Sequence, residues 1–129
     1  MEIKEKLTTP YVKLDKENCT LTFMGRSYPE HPALFYDPII EKVEGYKESL
    51  SNSTIKVNIA LEIMNSVSIK YLFHLIKDLY KSAMKIEIKW YYEKDDENML
   101  EEGNYLESLL PKSKFKLIGV DDLRKICFN

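Results

Sequence analysis

Two alternating runs joined by a helical one restrict the fold of this chain more than any other feature. Ile55, Val57, Ile59, Leu61 and Ile63 alternate with Lys56, Asn58, Ala60 and Glu62, so the spacing predicts a strand over 54–63 with one apolar face. Ile86, Ile88, Trp90 and Tyr92 alternate in the same way with Lys85, Glu87, Lys89 and Tyr91. Between the two runs, Ile69, Leu72, Phe73, Ile76 and Tyr80 recur at helical spacing. Lys70, His74, Lys77 and Lys81 take the other side, which predicts an amphipathic helix over 69–81 with a basic outer face. Strand, helix and strand in that order make a parallel βαβ unit with a right-handed crossover. Strands covered by helices on both faces read as continuous apolar runs, and these do not. The helices are therefore expected on one face of the sheet, leaving the other polar and solvated.

The flanking segments extend this core. Val12 and Leu14, then Leu21 and Phe23, point inward on two short alternating runs, and Asp15-Lys16-Glu17-Asn18 supplies the turn of a β-hairpin. Residues 1–9 are charged and are expected as a flexible lead-in. Gly25 and the prolines at 29 and 32 predict an irregular loop over 25–32. Leu34 and Phe35 form an apolar turn, and Asp37-Pro38 opens a helix that carries Ile39, Val43, Tyr46 and Leu50 on one face and ends near Ser49 to Ser53. A third helix follows the acidic run 93–102 with Met99, Leu106, Leu109 and Leu110 inward, then a strand over 115–120 and a short helix over 121–126. The expectation is one α/β domain over 10–129: a mixed sheet, an N-terminal hairpin, and alternating helices and strands with the helices on one face.

Charge and cysteine content narrow the function classes. With 19 basic residues against 21 acidic ones, the formal charge of −2 supplies no general field for nucleic acid or an anionic membrane. Cys19 and Cys127 belong to no Cys-x-x-Cys or Cys/His cluster, so they read as reduced thiols, and neither a metal nor a cofactor is implied. The opening residues have no apolar stretch of signal-peptide type and no run is long enough to span a bilayer, so a cytoplasmic protein is expected.

Candidate chemistry is sparse. Nucleotide-binding glycine loops, a nucleophile elbow and a zinc-protease helix are all missing from the sequence, and His31 and His74 lack evident partners. The acidic stretch around Asp95 lacks the spaced oxygens and central glycine of a calcium loop, and Asp95 or Asp96 suits the cap of the third helix. Trp90 and Tyr92 share the apolar face, leaving Tyr91 outward. Asn65-Ser66-Val67-Ser68 stands at the junction of strand and helix. There Asn65 or Ser66 can cap the helix, or Ser66 or Ser68 can accept a phosphate near free amides and Lys70. A small ligand- or metal-binding domain, or a minor enzyme using the polar sheet face or the segment near Asp95, is the alternative.

Several motifs in one order resemble the SiaC family of bacterial regulatory phosphoproteins: Gly25-Arg26-Ser27-Tyr28-Pro29-Glu30, Phe35-Tyr36 before Pro38-Ile39, Asn65-Ser66 after the alternating strand, and Trp90-Tyr91-Tyr92 before Asp95-Asp96-Glu97. The resemblance implies a STAS-like fold of the anti-anti-sigma-factor class. It also implies a non-enzymatic partner switch. A kinase with a histidine-kinase-like ATPase domain phosphorylates a Ser or Thr at the helix start, and a PP2C-type phosphatase reverses this. The unphosphorylated form binds and activates a diguanylate cyclase in cyclic di-GMP and biofilm signalling. By position Ser66 matches the phosphoacceptor, with Ser68 as fallback, and Arg26, Tyr28, Asn65 and Lys70 are expected with Ser66 on the docking surface. The family's usual Asn-Thr-Ser-Ser differs from this chain at Ser66 and at Val67.

Overall fold

The computed structural model describes residues 1–46, 49, 52–82, 85–111 and 114–128. Its strands are β1 (Glu2–Ile3), β2 (Tyr11–Asp15), β3 (Thr20–Ser27), β4 (Thr54–Met64), β5 (Lys85–Glu93) and β6 (Lys114–Val120). The helices among the described residues are α1 (Pro32–Gly45), α2 (Ser66–Ser82) and α3 (Glu97–Leu109), with a 3₁₀ turn at Leu123–Lys125. The six strands lie in sequence order in one sheet; β1, β2 and β3 are antiparallel, and β3 to β6 are parallel. Three successive parallel crossovers step the same way, and α2 packs against both α1 and α3, so the three helices lie on the same face.

The core follows the alternation. Val12, Leu14, Leu21, Phe23, Val57, Ile59, Ile86, Ile88 and Trp90 are buried in one cluster with Tyr36, Ile39 and Val43 of α1 and Ile69, Leu72, Leu75, Ile76 and Leu79 of α2. Within α3, Met99 and Leu106 are buried, while Leu109, expected inward, is exposed. Asp96 caps α3, its Oδ1 accepting from the Met99 amide at 3.1 Å, and Trp90 Nε1 donates to the Met99 carbonyl at 2.9 Å. Gly103 sits where α3 crosses Trp90, and a Cβ there would lie 2.6 Å from both Trp90 Cδ1 and Leu117 Cδ2.

Five expectations are corrected. Residues 1–9 are not a detached lead-in, because Glu2–Ile3 pairs with β2 and the Tyr28 amide donates to the Thr8 carbonyl at 2.9 Å. The expected loop over 25–32 is strand up to Ser27, since Gly25 takes a φ of +117° that lets β3 continue past the Glu5 carboxylate. Helix α1 begins at Pro32, so Leu34 and Phe35 are helical and Pro38 lies inside it. The carbonyl that Pro38 leaves without its helical donor belongs to Leu34, a residue that is 76% exposed, so the proline falls on an open turn of the helix. That helix closes at Gly45; Leu50 lies outside the described residues. Ile63 is 52% exposed rather than inward, because the register slips between Gly25 and Arg26 and the extra residue, Glu62, turns the chain.

The fifth correction concerns the face without α-helices. It is polar, as the alternation requires, but its centre is not solvated. Residues 121–128, with a 3₁₀ turn in place of the expected helix, cross it: Leu123 is buried, its amide donates to Glu93 Oε2 at 3.2 Å, and the Phe128 and Tyr91 rings form a T-shaped pair with centroids 5.4 Å apart. Asn58 and Ala60, on that side of β4, are buried as a result. Arg124 fastens the segment by a bidentate pair with Glu5 at 2.6 and 2.8 Å and a further bond to Glu62.

Gly103→Val should destabilise the domain by about 1–3 kcal/mol, because a side chain there must displace both Trp90 and Leu117; urea unfolding checks it. The Arg124 hydrogen bonds hold the Glu5 carboxyl below its usual 4.5. Its contribution is thus complete above 4.5 and is lost as pH falls from there through the lowered folded-state value. Glu5→Gln should remove that part of the acid dependence in unfolding curves recorded between pH 7 and 3, leaving the part due to Asp15, which is lowered by Asn18.

Candidate functional site

The junction of β4 and α2 is built on one side chain. Asn65 precedes the first helical residue, and its Oδ1 accepts from the Ser68 amide at 2.9 Å, the bond that satisfies a free donor of the first turn. Its own amide donates to the Ser27 carbonyl at 3.0 Å, where β3 ends beside β4. Asn65 therefore takes the capping role, and Ser66 does not.

Below the cap runs a line of buried hydroxyls. Tyr36 Oη and Ser27 Oγ are 2.5 Å apart, Ser27 Oγ and Ser68 Oγ 2.7 Å, and Ser68 Oγ donates to Asn65 Oδ1 at 2.7 Å. One assignment satisfies every member: Tyr36 donates to Ser27, Ser27 to Ser68, and Ser68 to Asn65. The Ser27 carbonyl, 2.9 Å away, is a second acceptor for Ser68 Oγ. Burial pushes the Tyr36 hydroxyl above its ordinary value, and its bonds to the two serines pull the other way. Tyr36 also stacks on Tyr71 of α2 at 4.8 Å and 10°. Ser27, expected in the loop over 25–32, and Tyr36, placed before the expected helix start at Asp37-Pro38, carry no sequence signal for this network.

The two candidate serines have opposite environments. Ser66 is exposed at the first position of α2. Ser68 is 0% exposed, and a phosphate on it would place a dianion among the core hydroxyls. Arg26 and Tyr28 flank Ser27, the strand partner of the junction, so they stand next to Asn65; both are half-buried. Arg26 Nε is 3.4 Å from Glu62 Oε2, the carboxylate that Arg124 also holds. Lys70 is exposed one turn beyond Ser66 on the same side of the helix. The structure thus brings Arg26, Tyr28, Asn65, Ser66 and Lys70 to one end of the sheet.

The alternative locations are dispersed. His31, just before α1, and His74, on α2, are both exposed and far apart in the chain, and Asp95 is exposed beside the capping Asp96. No group of three or more His, Cys, Asp or Glu among the described residues is placed to hold a metal. On the face opposite the α-helices, a cleft of about 400 Å³ lies between Lys13, Asp15, Thr22, Lys56, Asn58 and Phe128. No helix of the described residues is long and apolar enough to cross a membrane.

Residues 3–120 match the family model described as SiaC family regulatory phosphoprotein. The chain belongs to the SiaC family. Apo-SiaC of Pseudomonas aeruginosa has the same fold, with a TM-score of 0.78 at 20% identity over 92% of this chain and 98% of that one. SiaC from the same organism, crystallised with the diguanylate cyclase SiaD that it activates, superposes with a TM-score of 0.82 at 19% identity, covering 93% and 99% of the two chains. An uncharacterised protein of P. aeruginosa strain UCBPP-PA14 is 23% identical over 97 residues, or 73% of this chain and 76% of that protein. The SiaC match ends at the last strand, so residues 121–128 across the sheet lie beyond it.

The geometry of the cap predicts a division between neighbouring serines. Asn65→Ala and Ser68→Ala should each cost about 1–3 kcal/mol, since both strand buried partners, whereas Ser66→Ala should stay within about 0.5 kcal/mol. Urea denaturation of the three variants measures the split.

Proposed function

We propose that this SiaC family member is a non-enzymatic partner switch whose state is set by phosphorylation of Ser66. The observation that carries the reading is the contrast at the junction: Ser66 is exposed and free of the cap, and Asn65 and Ser68 are committed to holding the helix start. A kinase reaches Ser66 Oγ without opening the fold. The added charge of about −1.5 to −2 meets the positive end of α2, where first-turn amides and the dipole stabilise it. Phosphorylation therefore changes the surface and leaves the domain intact.

The partners of this reading are a Ser/Thr kinase with a histidine-kinase-like ATPase domain, a PP2C-type phosphatase, and a diguanylate cyclase that the unphosphorylated form binds and activates. The SiaC that activates SiaD in P. aeruginosa shares the fold and supports the last of these. Arg26, Tyr28, Asn65, Ser66 and Lys70 form the docking end, and the output is cyclic di-GMP and biofilm control.

Affinity capture from the native host with Ser66→Ala and Ser66→Glu proteins tests the reading. The alanine protein should retain a diguanylate cyclase, the glutamate protein should bind it roughly tenfold or more weakly, a loss of about 1.4 kcal/mol, and phosphosite mapping should find phosphate on Ser66. Equal retention by both variants would contradict it.

A further inference from the structure

The outward side of α2 carries a single charged stripe. Ser66, Lys70, His74, Lys77 and Lys81 follow at spacings of four, four, three and four, and all are exposed. At about 100° per residue they fall within an arc of about 80°. The buried residues of the helix, Ile69 to Leu79, occupy the opposite side. Asp78, the one carboxylate in α2, lies outside that arc. Among the described residues no carboxylate is paired with Lys70, and Lys77 Nζ rests over the Phe73 ring at 5.7 Å. This concentration of lysine stands out in a chain of formal charge −2.

We propose that this stripe reads the partner protein, that the partner presents a row of carboxylates to it, and that phosphate on Ser66 disables it from its head. The stripe is about 22 Å long at 1.5 Å per residue and one side chain wide. That shape fits an acidic helix or strand edge laid alongside α2. A duplex or a bilayer needs a broader basic field. Resting on the assignment of Ser66 above, the proposal adds a mechanism. Phosphoserine at 66 faces Lys70 one turn on, at the spacing where opposite charges pair along a helix. It draws that lysine away from the partner and repels the partner's carboxylates, both of which weaken docking without moving the backbone. Val67, 38% exposed beside Ser66, borders the stripe with an apolar edge where the family's usual run has a serine.

Two measurements test this on the intact protein. With phosphoserine encoded at 66, phosphorus NMR should give a lower second phosphate pKa in the parent than in Lys70→Ala; identical titrations would overturn the pairing. For docking, the probe is the diguanylate cyclase retained by the Ser66→Ala protein. Lys77→Glu/Lys81→Glu, remote from the cap and checked for parental thermal unfolding, should bind it at least tenfold more weakly, and parental affinity should fall as salt rises from 50 to 300 mM. If that double variant binds normally while Ser66→Glu does not, the stripe is excluded and the switch at Ser66 survives. If both bind normally, or no cyclase is retained, both fall. Loss of binding to phosphatidylglycerol vesicles or duplex DNA in the double variant, with cyclase affinity unchanged, would assign the stripe to those ligands and overturn the proposal.

Discussion

Three segments remote in sequence meet at the carboxamide of Asn65. Its oxygen accepts from the Ser68 amide and hydroxyl, the backbone amide of the same residue donates to the Ser27 carbonyl at the end of β3, and through Ser68 and Ser27 it is joined to Tyr36 in α1. Every buried hydroxyl in that line has a partner, which is the condition under which a polar network rigidifies a core instead of weakening it. Because the cap is made by Asn65 and closed from below by Ser68, Ser66 has no structural duty. A hydroxyl with no structural duty at the positive end of a helix is a position where charge can be added and removed at little cost to the fold.

The sheet explains why this junction lies where it does. Strands β3 and β4 run parallel and end together, so the loop after β3 and the start of α2 share one end of the sheet. The slip that inserts Glu62 interrupts the pairing, which resumes at Arg26–Ile63 and Ser27–Met64; it turns Ile63 outward and places a carboxylate between Arg26 and Arg124. On the face opposite the α-helices, residues 121–128 are held by that same carboxylate and by Glu5. The two faces of the sheet therefore serve different ends, one packed under helices and the other crossed by a single strap.

Much of this was legible in the sequence wherever alternation was strict. The strand at 54–63, the amphipathic α2, the inward residues of the hairpin and a cap of α3 by Asp95 or Asp96 each rest on one local period or one side chain; the fold selects Asp96 for the cap. Ile63, Gly25 and α1 were not legible for the opposite reason. A register slip, a left-handed glycine beside Glu5 and a proline tolerated inside a helix at an exposed turn each depend on a neighbour distant in sequence. At the site, spacing left Ser66 and Ser68 equivalent, both hydroxyls within the first turn. Only the placement of Ser27 and Tyr36 beneath Ser68 separates them, and neither residue carries a periodic signal. Leu75 and Leu79 escaped as core residues because the helical repeat chosen centred on Phe73 and Tyr80, which lie at the edge of the buried face.

In the switch proposed above, phosphate at Ser66 changes a surface and not a fold. Amide hydrogen exchange on the protein with and without phosphoserine at 66 measures this most directly. Protection should be unchanged across β3, β4, β5 and the body of α2, with slower exchange confined to the first turn after Asn65. Loss of protection along α2, or of the strands that meet at Ser27 and Met64, would contradict it by showing that the modification works through unfolding.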